Sequence, residues 1–500
     1  MKKILLLIGF IASFSTEAAP WVDIKDISLR ADLQFLADSH VINIPVTSYP
    51  LMWASINTSI KGTNLKTLSN AQKSAIDHVK RAMKAATTTG FKNQFKLYAT
   101  STERQFNSHE LNYPEKSNLT ISSQYINQQF SGKIQVNHHF SNPLNNSDDK
   151  TNFDESYLAY KLGNWVLTLG SLEQSWGPGL DSSLILSNNA RPLPAFSIRR
   201  NDSRAFKTPW LSWIGPWTFV AQMAQLEEER HVPNAKLWST RATFKPYKKL
   251  ELGLSWSYQW GGDGQPNSSR FFFNGLLGQT ECVNEESSCD KSLQTKLGNH
   301  LAGLDLRWSD TFSGQPYAIY AQTIGEDSSG PSVFQISDKS FLYGLETHLT
   351  IAQQRIWINL EYSDTQANCG PRGDTSQDCF YEHGTYQSGY RFYQRSIGSK
   401  YDNDAETYAL TIFSQLSSGN QWQLILRNLD LNTNDRDRYP NNSSLGNSVS
   451  KVFKQINQID MQYQFDLFDG RLTVGALVDD VKIQDDESEI EYGLYFNFTY

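Results

Sequence analysis

Beyond its first eighteen residues the chain has no window of about twenty uninterrupted apolar residues, so a helix crossing a membrane is excluded. Cysteine is scarce. The four in 500 residues fall into two local pairs, Cys282 with Cys289 and Cys369 with Cys379. Neither pair has CxxC spacing, which counts against zinc, the rival reading. In an exported chain the even count reads as two small loop-stapling disulfides. No block of basic residues exists and the net charge is −7, so nucleic acid is not an expected partner. The GxSxG, HExxH, phosphate-loop and dinucleotide patterns are all missing, and the nine histidines are scattered. His138 and His139 are adjacent but point to opposite faces of any strand, which does not make a metal site. No internal repeat is visible. These absences leave neither a metal nor a cofactor to expect, and no enzyme signature.

What the chain does have begins with a leader. Lys2 and Lys3 precede the apolar run Ile4 to Phe14, and Thr16 and Ala18 supply small residues for cleavage, the pattern of a secretory signal peptide over residues 1–18. No cysteine follows that cut, so no lipid anchor is expected.

From about Asp26 to Gly90 the apolar spacing is helical: Leu29, Leu33 and Leu36; Trp53, Ile56 and Ile60; Ile76, Val79 and Met83. The stripes are narrow and need a partner surface, so residues 19–91 are expected to pack as a small helical bundle at the mouth of the larger domain C-terminal to them. From about Lys92 the period changes to two and stays so. Leu250, Leu252, Leu254, Trp256, Tyr258 and Trp260 alternate with Glu251, Gly253, Ser255, Ser257 and Gln259. The final ten residues alternate in the same way and end on Tyr500, which is typical of a barrel-closing strand.

Such strands suit either a soluble sandwich or a membrane barrel, and connection length separates the two. Short links at Gly163-Asn164, Gly215-Pro216, Pro246 to Lys248, Ala352 to Gln354, Ser417 to Asn420 and Asp469-Gly470 alternate with long ones, such as Gly261 to Asn299 and Asp364 to Asp404. A sandwich gives no reason for that asymmetry. An outer-membrane barrel does, with tight periplasmic turns and long outer loops. The expected fold is therefore mainly β: a transmembrane antiparallel β-barrel of about 18 strands over residues 92–500. The span from Pro194 to Trp213 is long for one strand and contains Pro209.

The long loops are rich in groups that recognise sugars. Tyr381, Tyr386, Tyr390, Tyr393, Arg372, Arg391 and Arg395 lie between Asp364 and Asp404, while Trp176, Arg191 and Arg199 flank another loop. Aromatic faces stack on the CH-rich faces of sugar rings, and arginine forks bind carboxylates of uronic acids. The competing role for each is to fold the loops onto one another inside the barrel mouth.

Several motifs in fixed order carry a resemblance. Glu173-Gln174-Ser175-Trp176-Gly177-Pro178-Gly179, Asn189-Ala190-Arg191-Pro192, Trp213-Ile214-Gly215-Pro216-Trp217, Val232-Pro233-Asn234-Ala235-Lys236 and Gly325-Glu326-Asp327-Ser328-Ser329-Gly330 resemble the capsule-assembly Wzi family. The resemblance implies an outer-membrane barrel of about eighteen strands with periplasmic helices and extracellular loops. It also implies a non-catalytic, lectin-like surface protein that anchors capsular polysaccharide or related exopolysaccharide. The partners expected are that polymer and outer-membrane lipid, and the chain is expected to be a monomer. A porin for small solutes is the alternative, motivated by polar lumen-facing residues, with an outer-membrane hydrolase as a third class.

Overall fold

The computed structural model describes residues 19–106, 115–140, 150–277, 298–326, 338–351, 354–367, 378–416 and 418–500. After the helices the chain runs through β1 (Gly90–Thr100), β2 (Ser117–Ile126), β3 (Phe130–His139), β4 (Thr151–Asn152 and Tyr157–Leu162), β5 (Trp165–Ser171) and β6 (Pro194–Arg200). It continues through β7 (Trp217–Gln225), β8 (Lys236–Tyr247), β9 (Leu250–Trp260), β10 (Asn299–Phe312), β11 (Gln315–Glu326) and β12 (Lys339–Ile351). The last six are β13 (Gln354–Asp364), β14 (Glu406–Gln415), β15 (Gln421–Leu431), β16 (Lys454–Leu467), β17 (Gly470–Ile483) and β18 (Glu489–Thr499). Each pairs antiparallel with its neighbours, and β18 returns to β1 through the register Lys96↔Thr499 to Thr100↔Tyr495, closing an 18-stranded barrel.

The burial pattern is inverted relative to a water-soluble protein. On β9, Glu251, Ser257 and Gln259 are enclosed, while Leu254 is 54 % exposed. The same holds around the wall, with Arg241, Asp305, Arg307, Glu346 and Asp460 inside and Leu304, Ile319, Leu345, Leu360 and Leu494 outside. An apolar exterior around a polar interior is the solution for strands surrounded by hydrocarbon. Aromatics mark both edges of the apolar band. Tyr247, Phe312 and Phe468 stand out at the short-turn end, and Tyr343, Tyr362 and Tyr408 form a chain of rings at the other, with centroids 6.4 and 4.9 Å apart. Leu345→Arg, a charge in the middle of this band, is expected to cost about 2–4 kcal/mol. Equilibrium folding into lipid vesicles measures it; an unchanged midpoint would show that this face does not meet lipid.

Gly163-Asn164 forms the tight turn expected of it between β4 and β5, whereas Gly215-Pro216 is not a short link but the end of the connection from β6 to β7; the turn between β10 and β11 adds to those expected. Ser313 and Gly314 adopt φ of +50° and +79° between β10 and β11, the twist that suits a two-residue hairpin. The turn expected at Asp469-Gly470 is made by Phe468 and Asp469, both at positive φ. Pro194 to Trp213 is not one strand. β6 stops at Arg200, and residues 201–216 form a long connection at the short-turn end, the exception to the alternation. The reason is a contact with the second helix: Ser203 N donates to Ser55 Oγ at 2.9 Å, and Thr58 Oγ1 to Asp202 at 2.9 Å. β4 is also interrupted, at residues 153–156, where the chain turns Asp154 and Glu155 toward the interior.

The helices are α1 (Ile27–Asp38), α2 (Trp53–Lys61) and α3 (Asn70–Thr87). Asp26 caps α1 by accepting from Leu29 N at 2.9 Å, and Ser69 with Gln72 forms a capping box on α3. Leu29, Leu33 and Leu36 of α1 pack with Ile76 and Val79 of α3. The opposite, polar face of α1 is buried too, because the helix lies inside the barrel against a polar wall. Asp38 pairs with Arg307 (2.8 Å), Asp32 with Arg355, and Arg30 donates to Gly179 O at 2.7 Å.

Candidate functional site

The lumen is filled from both ends. From the short-turn end come α1 and residues 41–52; from the long-loop end come residues 172–193 and 378–404. They meet in a two-stranded pairing of Ser48–Tyr49 with Ser175–Trp176, extended by Gly177 N donating to Thr47 O at 3.0 Å. Carboxylates of the barrel wall hold each part by its backbone. Glu251 accepts from Val46 N and Thr47 N at 2.9 Å, and Glu361 accepts from Leu180 N, Asp181 N (2.9 Å) and the Tyr320 hydroxyl (2.7 Å). A buried carboxylate with several donors is well satisfied, so these contacts pin the plug rather than strain it. Gly177 has φ +142°, and a Cβ there would come within 2.6 Å of the Gln322 amide, which itself donates to Trp176 O at 3.0 Å.

Most residues singled out for sugar contact sit in this plug. Trp176 is wholly enclosed. The hydroxyls of Tyr381, Tyr386 and Tyr390 donate to Leu184 O, to Gly261 O at 3.0 Å and to Ile185 O at 3.0 Å. Arg199 binds Pro50 O (3.2 Å) and Gln174 Oε1 (2.7 Å). Arg391 grips Asp402 with two bonds of 2.7 and 2.8 Å and reaches Glu382 at 2.6 Å. Burial opposes ionisation of Asp402, but Arg391 outweighs it and holds the carboxyl below its ordinary range. Asp181 is held low in the same way by Arg427 and Lys400, at 2.7 and 2.9 Å. Arg372, Cys282, Cys289 and Cys369 lie outside the described residues; Cys379 packs against the plug core.

Three of the group stay partly open. The Arg191 guanidinium lies 4.4 Å over the Tyr393 ring and bonds Asp154 at 2.7 and 3.1 Å. Beside it, Arg395 donates to Asn189 O and Oδ1, both at 2.7 Å. The patch runs on past Gln394 into a 130 Å³ depression lined by Glu229, Arg230, His231, Ser388, Asn442 and Ser444. Here a half-buried tyrosine ring under its arginine, a paired carboxylate and the Gln394 amide lie together at the long-loop end. Sequence reasoning missed Asp154, His231, Gln394 and Asn442. Only Val232-Pro233-Asn234, next to His231, gave a signal. Among the described residues no group of three or more His, Cys, Asp or Glu is placed to hold a metal ion.

A model of the capsule assembly protein Wzi family matches residues 86–491. The chain belongs to that family. An uncharacterised protein encoded in the cps region of Klebsiella pneumoniae is 28 % identical to this Wzi-family chain over 377 residues, 74 % of the chain and 70 % of the relative. The solved structure of Escherichia coli Wzi, an outer-membrane protein involved in group 1 capsule assembly and a carbohydrate-binding β-barrel, superposes with a TM-score of 0.80 at 24 % identity, covering 96 % of this chain and 98 % of that one. The crystal structure of Pseudomonas aeruginosa OccD3 aligns at a TM-score of 0.45 and 9 % identity, over 82 % of this chain and 91 % of its own.

The plug of this Wzi-family barrel contains a pH-sensitive point. Burial, reinforced by nearby Asp378 and Asp402, pushes Asp404 up to about 7, and burial beside Glu382 pushes Asp378 to about 6. In an unfolded loop an aspartate ionises near about 4. The protonated form therefore favours the packed loop: its stabilisation is fully present below about 4 and is lost as pH rises through about 7. Hydrogen exchange in residues 378–404 is expected to be several-fold slower in Asp404→Asn than in wild type at pH 8, with the difference gone at pH 4. A pH-independent difference would overturn this.

Proposed function

We propose that this barrel sits in an outer membrane as a monomer and anchors capsular polysaccharide, or a related acidic exopolysaccharide, as a lectin without a catalytic step. The long loops face outward and residues 19–91 lie on the periplasmic side, with residues 92–500 as the barrel and residues 1–18 removed as a leader. Cys282 with Cys289, and Cys369 with Cys379, staple the outer loops.

The observation that carries this reading is the open patch of Arg191 over Tyr393, beside Arg395 and Gln394, on a member of a capsule-assembly family. Weak contacts repeated along a polymer sum to useful avidity. The decisive experiment is binding of purified surface polysaccharide to the protein in detergent, together with the fate of the polymer on cells lacking the gene. Saturable binding and release of polymer into the medium are expected; no binding and a fully retained capsule would overturn the proposal. A porin would conduct steadily in a planar bilayer, whereas the two-part plug supports a nearly silent trace.

A further inference from the structure

β6 and β7 are neighbours that a two-residue turn would join, yet residues 201–216 stand between them. After its contact with α2 this segment leaves the mouth of the lumen and folds back on the outside of the wall. Alternation along β6 and β7 turns Arg199, Val220 and Gln222 inward, so Arg200, Trp217 and Phe219 face out. Phe206 stacks on the Trp217 ring at 4.7 Å. Arg200 is caught between segment and wall, its guanidinium 3.5 Å over Trp217 and donating to Arg204 O at 2.9 Å. Gly215, at φ +69°, brings the segment against the end of β8, where a Cβ would overlap Lys245 O. Seated in this way, the segment holds out Trp210, 72 % exposed, and Trp213, 63 % exposed, while Tyr247 at the end of β8 is 71 % exposed.

These rings lie at the edge of the apolar band and continue the surface that meets hydrocarbon. Tryptophan and tyrosine collect where a membrane protein passes from acyl chains to headgroups. The charges decide which headgroups suit. Two acids lie on this stretch of rim and both are matched, Asp202 by Arg204 at 2.9 Å and Asp310 by Lys249 at 2.7 Å. Among the described residues Arg200, Lys207 and Lys248 form no ion pair, and the exposed Lys61 and Lys161 at the mouth add the same sign. Cations beside an anionic membrane surface each add to binding. Hydrocarbon alone would account for the rings and not for the lysines; a soluble acidic partner would account for the lysines and not for rings on the lipid side.

We propose that residues 204–216, with Lys248, form a headgroup site that selects anionic phospholipid in the leaflet at the short-turn end. Trp210 and Trp213 sit at the boundary of the acyl chains, and Lys207 and Lys248 meet the phosphate, with Arg200 as a fixed charge behind them. The inference rests on the membrane placement proposed above. In the test, full-length protein is folded into mixed vesicles of phosphatidylethanolamine and phosphatidylglycerol and extracted in mild detergent, and its retained lipid is counted by native mass spectrometry. Phosphatidylglycerol is expected to be enriched several-fold over the vesicle composition. Lys207→Glu with Lys248→Glu is expected to abolish the enrichment, and Trp210→Ser with Trp213→Ser to lower retention of both lipids. Heat-modified gel migration reports folding, and Lys207→Gln with Lys248→Gln is the milder change if the reversal fails to fold. Lys482→Glu, at an exposed lysine near the opposite rim, is expected to change nothing. Equal retention of the two lipids by wild type, or an enrichment that survives the lysine pairs or falls equally in Lys482→Glu, would overturn the proposal. A protein that enters no vesicle of either lipid would overturn the membrane placement itself, and this inference with it.

Discussion

Arg307→Ala is expected to loosen α1 and to raise ion leakage through the barrel above the wild-type level. Arg307 is buried between Asp38 of α1 and Glu346 of the wall, and its removal leaves two enclosed carboxylates facing each other without a cation. Breaking a buried pair in this way costs roughly 3–5 kcal/mol, well above the cost of losing an exposed pair, which is about 0–1 kcal/mol. The strain is relieved by protonation of one carboxyl or by withdrawal of α1, which brings Asp38 to water while the strand that carries Glu346 cannot move. Lys249→Ala provides the control, because its 2.7 Å pair with Asp310 lies largely in solvent. Planar-bilayer recording of the two variants separates these cases. A silent Arg307→Ala with wild-type resistance to denaturant would mean that α1 is held by its apolar packing on α3 and not by the wall.

The second large effect is expected at the loop face. Arg191→Ala combined with Tyr393→Ala removes the guanidinium and the ring it covers, a half-buried stack worth about 0.5–2 kcal/mol by itself. Multiplied over several repeats of a bound polymer, a small deficit per site becomes a loss of at least tenfold in retained polysaccharide, read by co-sedimentation with whole cells. Tyr386→Phe is the contrasting change. It deletes only the bond to Gly261 O inside the plug, and retention is expected to stay at the wild-type level. Equal retention by all three proteins would remove the patch from consideration.

Similar residue types do different jobs in the plug and at the loop face, and the sequence distinguishes them unevenly. Alternation such as Leu250 to Trp260 is legible because a strand's period is fixed by covalent geometry, whichever medium surrounds it. The division between plug and patch is not. Tyr381, Tyr386 and Tyr390 carry the same ring and hydroxyl as Tyr393, and only the three-dimensional path of the loop decides which of them turns inward. The polar face of α1 misleads for a related reason. Arg30, Asp32, Gln34 and Asp38 look like a solvent face, yet all are enclosed because the wall opposite them is itself polar. The length of Pro194 to Trp213 and its Pro209 hint at a break, but its cause is not legible because the contacts to α2 are long-range.

The joint between β1 and β18 runs from Phe95 and Tyr500, bonded to each other both ways at 2.8 Å, through the ladder pairs Lys96↔Thr499 to Thr100↔Tyr495, to Ser101 N donating to Leu494 O at 2.9 Å, and it ties the first strand of the ring to the last. Because this joint links the beginning of the barrel to its end, the ring has a gap there until the terminal strand is in place. The first helix, dressed with charges that need the inner wall, is best accommodated while that gap is still open. Delivery of the leading segment before the terminal strand arrives would make insertion a matter of timing, with the cylinder wrapping around its own beginning.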